Sequence, residues 1–253
     1  MLQTTMTRET RWLLEEKYRG VETPEFRADV ARLEAGEPLA YVIGWVDFLR
    51  CRINLSLHPL IPRPETEFWV ERAIAEIQKK DGDKELRILD LFSGSGCIGI
   101  ALAKHLPNAK MDFGEIDPKL CEQIKKNIEL NNIDTNRVQI IRTDVFSDIT
   151  ESYDSIFANP PYIDPAKKAT VQSSVREHEP HSALFADEHG LAFIKQLLIK
   201  ASDHLNPVGT MFIEFGENQK EEIATLAKNV SWKHEFWNDQ YGRARCVVLQ
   251  KVS

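Results

Sequence analysis

From Leu86 to the C-terminus, short apolar runs alternate with amphipathic stretches, and that alternation leaves the chain very few folds. RILDLF is followed by SGSG and CIGIALAKHL, which Pro107 ends. KMDFGEID leads into PKLCEQIKKNIELNN, and VQIIR into an acidic turn at Asp144. YDSIFANPPY precedes a long loop and GLAFIKQLLIKASDHL, and TMFIEF, NQKEEIATLAKNV, WKHEFW and ARCVVLQKV complete the series. Strands alternating with helices of this length imply a parallel sheet covered by helices on both faces. Two strands after the last helix predict an antiparallel edge. The expectation is an α/β fold on a seven-stranded, mostly parallel sheet.

The N-terminal part is organised differently. Residues 7–19 and 24–35 predict two short helices, the first capped by Thr7 with Glu9 and Thr10 in its first turn, and stopped by Gly20. Pro24 suits a first helical position, and Gly36 with Pro38 closes the second helix. Residues 41–61 predict a small β-hairpin. After IPRPETE, Phe68, Trp69, Ala73, Ile74 and Ile77 fall on one helical face; Phe68 and Trp69, like Trp12, read as core residues. The 253 residues then divide into a helical segment (1–40), a hairpin linker (41–65) and one large domain (66–253).

Composition removes several function classes. No apolar run approaches the ~18–20 residues that cross a bilayer, so no membrane role is expected. The net charge of -7, with no basic half, argues against nucleic acid as a partner. Four cysteines without paired spacing read as reduced thiols, and MLQTTMTRETRW lacks a signal core, so the cytoplasm is expected.

Three features could carry chemistry. SGSG at 93–96 joins a strand to a helix where an open α/β sheet holds its ligand, and its glycines let the backbone approach closely. Glu115, about twenty residues on, is placed to hold a ribose diol, with Asp117 as the neighbouring alternative. Together they point to a nucleoside-containing cofactor, whose adenine end Asp144 would meet. Asn159-Pro160-Pro161-Tyr162 follows the fourth strand directly. Two prolines fix φ and remove two donors, leaving carbonyl acceptors free. With the Asn159 side chain and the flat wall of Tyr162, the turn can grip an NH2 group by both hydrogens. Arg63 and Arg176 could face a substrate or form ion pairs. His178, Glu179 and His181 resemble part of a metal site but lack a third ligand at a convincing spacing, so no metal is expected.

At these residues the chain resembles a known family. IPRPETE at 61–67, DLFSGSGCIGIAL, NPPYI and REHEPHSALFADEHGL are similar to the peptide-chain release factor glutamine methyltransferases, over the stretch from about Glu37 to the C-terminus. The resemblance implies a Rossmann-like methyltransferase domain dependent on S-adenosyl-L-methionine (AdoMet), acting on the amide nitrogen (N5) of the glutamine in a release factor's Gly-Gly-Gln loop. It implies that Phe92, Ser93, Gly94, Ser95 and Gly96 wrap the methionine end of AdoMet. Glu115 would hold the ribose, Asp144 and Val145 would lie at adenine, and Asn159 would also touch the cofactor. Asn159, Pro160 and Tyr162 would be catalytic. Pro161, Arg63 and Glu179 would join them around the substrate, and the enzyme would be a monomer. Another protein glutamine, or an exocyclic amino group of a DNA or RNA base, is the alternative substrate. The chain departs from the family pattern in three ways. Phe92 stands where a glycine is common, so the loop is expected to enter without a positive φ. Glu115 replaces the usual aspartate, and only about 36 residues precede the match, where the family usually has a longer helical domain.

Overall fold

The computed structural model describes residues 6–252; the opening MLQTT, part of the segment inspected for a targeting signal, lies outside them. Thr7 caps α1 (Arg8–Glu16), its Oγ1 accepting from the Thr10 amide at 3.1 Å. Thr23 does the same for α2 (Pro24–Glu34), accepting from Phe26 at 3.2 Å. The next residues depart from expectation. Leu39–Ile43 forms a helix, α3, ended by Gly44, and the hairpin is confined to β1 (Trp45–Phe48) and β2 (Cys51–Asn54). The reason is tertiary: helical spacing turns Leu39, Val42 and Ile43 together onto Leu13 and Phe26, closing a small core that two helices alone could not.

In α4 (Pro64–Asp81) the buried stripe is Trp69, Val70, Ala73, Ile74 and Ile77. Phe68 lies beside that stripe and is exposed, as is Trp12, whose ring carries the Arg8 guanidinium at 4.3 Å. Neither is the core residue expected.

The remaining elements are β3 (Arg87–Leu91), α5 (Cys97–His105), β4 (Lys110–Glu115), α6 (Pro118–Leu130), β5 (Val138–Arg142) and β6 (Tyr153–Ala158). They continue with α7 (Ser173–His178), α8 (Asp187–Gly190), α9 (Ala192–Lys200), β7 (Leu205–Glu214), α10 (Lys220–Asn229), β8 (Trp232–Asn238) and β9 (Ala244–Lys251). The seven strands run in the order β5-β4-β3-β6-β7-β9-β8, parallel as far as β7, with β9 antiparallel to both neighbours. The hairpin, α4, α5 and α6 share one core cluster, whereas α9 and α10 contribute to the other. From β3 the chain steps outward to β4 on one side and to β6 on the other. That reversal opens a crevice at the carboxyl ends of the central strands, where such sheets bind ligands. Among the described residues no helix is long and apolar enough to cross a membrane.

Candidate active site

The turn after β3 is built from left-handed backbone. Phe92 has φ 58°, Gly94 φ 55° and Gly96 φ 78°. A positive φ at Phe92 is therefore what the structure contains, against the expectation that a side chain there would forbid it. The cost for a residue with a Cβ is on the order of 1–3 kcal/mol. Its ring packs edge-on against Phe193 with centroids 5.3 Å apart, which fixes the conformation. Ser93 Oγ donates to the Asp90 carbonyl at 2.7 Å, and the Gly96 amide to the Ser93 carbonyl at 2.7 Å, so the loop is closed on itself.

Gly96 has no side chain with which to cap α5, and Asp90 serves instead from the strand below. Its Oδ2 accepts from the Gly99 amide at 2.9 Å, while Oδ1 is buried without a partner. Burial pushes the Asp90 carboxyl up to about 8, with the nearby Glu115 charge adding to the rise. Glu115 is itself buried, which raises its pKa, yet both oxygens are engaged. Oε2 accepts from the Gly94 amide at 2.8 Å and Oε1 from the Asp117 amide at 2.9 Å. Asp117 caps α6, accepting from Lys119 at 2.8 Å. Beyond β5, Val145 is buried with φ 54°, and its carbonyl accepts from Thr143 Oγ1 at 3.2 Å.

At the end of β6 the Asn159 carboxamide and the Pro160 carbonyl have no hydrogen-bond partner among the described residues. Tyr162 is different: its hydroxyl donates to Glu214 Oε1 at 3.1 Å. The chain then turns back, Ile163 donating to the Leu184 carbonyl at 2.9 Å and Ala186 to that of Ile163 at 3.0 Å.

These elements surround a cavity of ≈ 240 Å³. Of the residues singled out by sequence, Arg63, Phe92, Ser93, Gly94, Ser95, Glu115, Asp117, Asp144, Val145, Asn159 and Pro161 line it. Gly96, Pro160, Tyr162 and Glu179 stand outside the lining. Arg63 donates to Glu179 Oε1 at 2.6 Å, and Oε2 accepts from the Ile61 amide at 3.1 Å. Glu179, with its carboxylate buried, is thereby committed to an ion pair that ties IPRPETE to the loop after α7. Arg176 pairs with Glu177 at 3.0 Å, and His178 and His181 bond separate backbone carbonyls, of Ser174 and Arg176. Sequence reasoning missed Asp90, although an acid inside the apolar run RILDLF was a signal. It also missed the apolar walls Ile116, Leu120 and Phe193. Phe193 has no local signal, since only the fold brings it to the glycine turn.

Residues 72–181 match the family described as Methyltransferase small domain. A release factor glutamine methyltransferase of Streptococcus pneumoniae is 34% identical over 231 residues, 90% of this chain and 80% of the relative. This chain belongs to the release factor glutamine methyltransferases. A second member of the family, from Francisella tularensis, is 39% identical over 223 residues, 87% of this chain and 77% of its own length. A solved methyltransferase structure from Pyrococcus furiosus has a TM-score of 0.54 at 20% identity, covering 77% of this chain and 86% of its own, which shows the shared fold. The family assignment makes the chain a methyltransferase, and its Rossmann-like sheet with an antiparallel C-terminal edge is the architecture that family membership implies.

Proposed function

We propose that the protein transfers a methyl group from AdoMet to the side-chain amide nitrogen of the glutamine in the Gly-Gly-Gln loop of a peptide-chain release factor. The observation that carries this reading is the pair of unsatisfied acceptors, the Asn159 carboxamide and the Pro160 carbonyl, beside a cavity that Glu115 and the glycine turn also border.

The residues present fit AdoMet. Asp90 leaves a buried carboxyl oxygen unpaired under the glycine turn, Glu115 and Asp144 supply the acidic groups of the lining, and Phe92, Ile116, Leu120 and Phe193 supply apolar walls. An acidic, largely apolar pocket suits a cation carrying an aromatic base. Phe92 to Gly96 would hold the methionine end, Glu115 the ribose, and Asp144 with Val145 the adenine. When bound, the cofactor supplies an electrophilic methyl carbon on a sulfonium.

An amide nitrogen is a poor nucleophile because its lone pair is delocalised into the carbonyl. Asn159 and Pro160 answer this by accepting the two amide hydrogens. That orients the nitrogen and stabilises the positive charge that grows on it, which is discharged when one of the two hydrogens leaves as a proton to solvent. The prolines make the acceptors rigid, and Tyr162, outside the cavity lining, anchors the end of the turn. The same grip would suit a base amino group, but the net charge of -7 weighs against nucleic acid and so favours a protein substrate; we take the enzyme to act as a monomer in the cytoplasm.

The test is labelled-methyl transfer from AdoMet to a panel of release factors, with the Gly-Gly-Gln glutamine replaced as control and DNA and RNA as parallel substrates. Label appearing in a release factor only when that glutamine is present supports the reading. Label in nucleic acid, or in a release factor lacking the glutamine, overturns it.

A further inference from the structure

Tyr162 is held at both ends by one short stretch of chain, residues 214–219. Glu214 Oε1 accepts from the tyrosine hydroxyl at 3.1 Å, and Gln219 Nε2 donates to the tyrosine carbonyl at 3.0 Å. Between them lies Gly216, where an added Cβ would stand 3.5 Å from Cδ2 of the ring. The two holding side chains are themselves fixed. Glu214 Oε2 accepts from Thr66 Oγ1 at 2.6 Å and Trp69 Nε1 at 2.8 Å, both on α4. Gln219 Oε1 accepts from the Gly216 amide at 2.9 Å, and Nε2 also donates to the His189 carbonyl at 3.2 Å.

A third contact closes the enclosure. A Cβ at Gly190 would lie 2.1 Å from the Tyr162 carbonyl oxygen, so only glycine permits this approach. Glu188, His189 and Gly190 are consecutive left-handed residues, with φ 53°, 58° and 87°. Such backbone is retained where the surroundings over-determine it. Here the surroundings are the tyrosine carbonyl and the Gln219 amide that bridges it to His189. Glu214 is a buried carboxylate, and burying a charge is unfavourable unless its oxygens are bonded. Its three side-chain donors come from α4 and from Tyr162, so what it joins is the IPRPETE helix to the Asn-Pro-Pro-Tyr turn.

We propose that Glu214 and Gln219 are positioning residues for methyl transfer: by gripping the hydroxyl and carbonyl of Tyr162 they set where the Asn159 and Pro160 acceptors stand. This rests on the reading of Asn159–Tyr162 as the amide grip. With φ fixed at both prolines, anchoring the last residue of the turn leaves the acceptors little room to move. Misplacement by about 1 Å is enough to lose ~10²-fold in rate.

The test uses the full chain with Tyr162→Phe, Glu214→Leu, which removes the acceptor and offers no donor in its place, their double variant, and Gln219→Glu, which keeps the acceptor for Gly216 but loses the donor to Tyr162. Each single variant should lower kcat on the release factor by about ten- to a hundredfold, with KM and calorimetric AdoMet affinity near those of the parent. The double variant should be no slower than Glu214→Leu alone, because once the acceptor is gone the tyrosine hydroxyl has no contact left to lose. Additive losses, unchanged kcat, or AdoMet affinity falling in step with kcat would overturn the proposal. Hydrogen exchange of the Ile163 and Ala186 amides, which bond the loop that folds back after Tyr162, provides a readout without turnover. It should quicken in Tyr162→Phe and Gln219→Glu, and unchanged exchange overturns the proposal even if the parent methylates no release factor, an outcome that would refute the functional reading separately.

Discussion

The buried carboxamide of Asn127 donates to the carbonyl of Ser95 at 2.9 Å, which fixes the glycine turn to α6. The same side chain accepts from the Asn54 amide at 2.7 Å and donates to the Asn54 carbonyl at 3.1 Å, so the hairpin and the turn share one anchor. Gln123 and Asn131, one turn away on either side, bond the amides of Leu57 and Arg52 at 2.8 and 2.9 Å. Carboxamides spaced four apart, two on α6 and one on the residue that ends it, thus satisfy backbone along and just beyond β2.

Asn127→Ala should therefore harm both stability and cofactor binding. Removing one side of a buried hydrogen-bonded set leaves the other unsatisfied, at about 1–3 kcal/mol. Asn131→Ala, which reaches Arg52 but not the glycine turn, should cost similar stability and leave AdoMet affinity unchanged. Urea unfolding and calorimetry on the two variants check this. Equal affinities would remove Ser95 from the argument.

Asp90 predicts a pH dependence. Its carboxyl is raised by burial to about 8 in the folded chain, against about 3.9 for an unfolded aspartate. The folded state holds this proton more tightly, so the Asp90 contribution favours folding most at low pH. That contribution declines as pH rises from about 4 towards 8. Asp90→Asn keeps an acceptor for Gly99 and does not ionise. Its melting temperature relative to the parent should rise steadily from about pH 5 to pH 8. A constant difference across that range would show that Asp90 ionises normally.

Much of this was legible in the sequence because it depends on local pattern. The apolar runs marked the strands, and Pro24 opens a helix as its position suggested. Asn159 and the prolines were readable because a strand end, a missing donor and a free carbonyl are local facts. What escaped is tertiary. Leu39–Ile43 becomes a helix because Leu13 and Phe26 wait for its apolar side. Phe92 adopts a left-handed backbone with its ring packed on Phe193, far along the chain. Arg63 was open to facing substrate or forming an ion pair, but its partner Glu179 was read only as facing substrate; their pairing across 116 residues depends on how the loop after Tyr162 folds back. Glu214 gave no signal at all, since a strand-end acid looks solvated until α4 covers it.

Glu115 and Asp117 both line the cavity, but each already does different work there. Asp117 accepts from Lys119 as the cap of α6, whereas Glu115 bonds the Gly94 amide of the turn. Glu115→Ala should weaken AdoMet binding through both the ribose and the slackened turn. Asp117→Ala should mainly cost the cap, about 1 kcal/mol of stability. Calorimetry in which Asp117→Ala loses more affinity than Glu115→Ala would reverse the assignment.

Asn159 provides the sharpest test of the chemistry. Its carboxamide has no partner among the described residues, so Asn159→Ala breaks no internal hydrogen bond and should leave the fold and its melting temperature nearly unchanged. Turnover should fall by ~10²–10³, the loss typical of one preorganised polar contact to a charge that develops in the transition state. AdoMet affinity should change far less, because the glycine turn, Glu115 and Val145 are untouched. Asn159→Asp retains an acceptor of the same reach and should recover part of the rate, while Asn159→Leu, similar in volume but without an acceptor, should not. Near-normal turnover in Asn159→Leu would mean that the Pro160 carbonyl orients the amide alone.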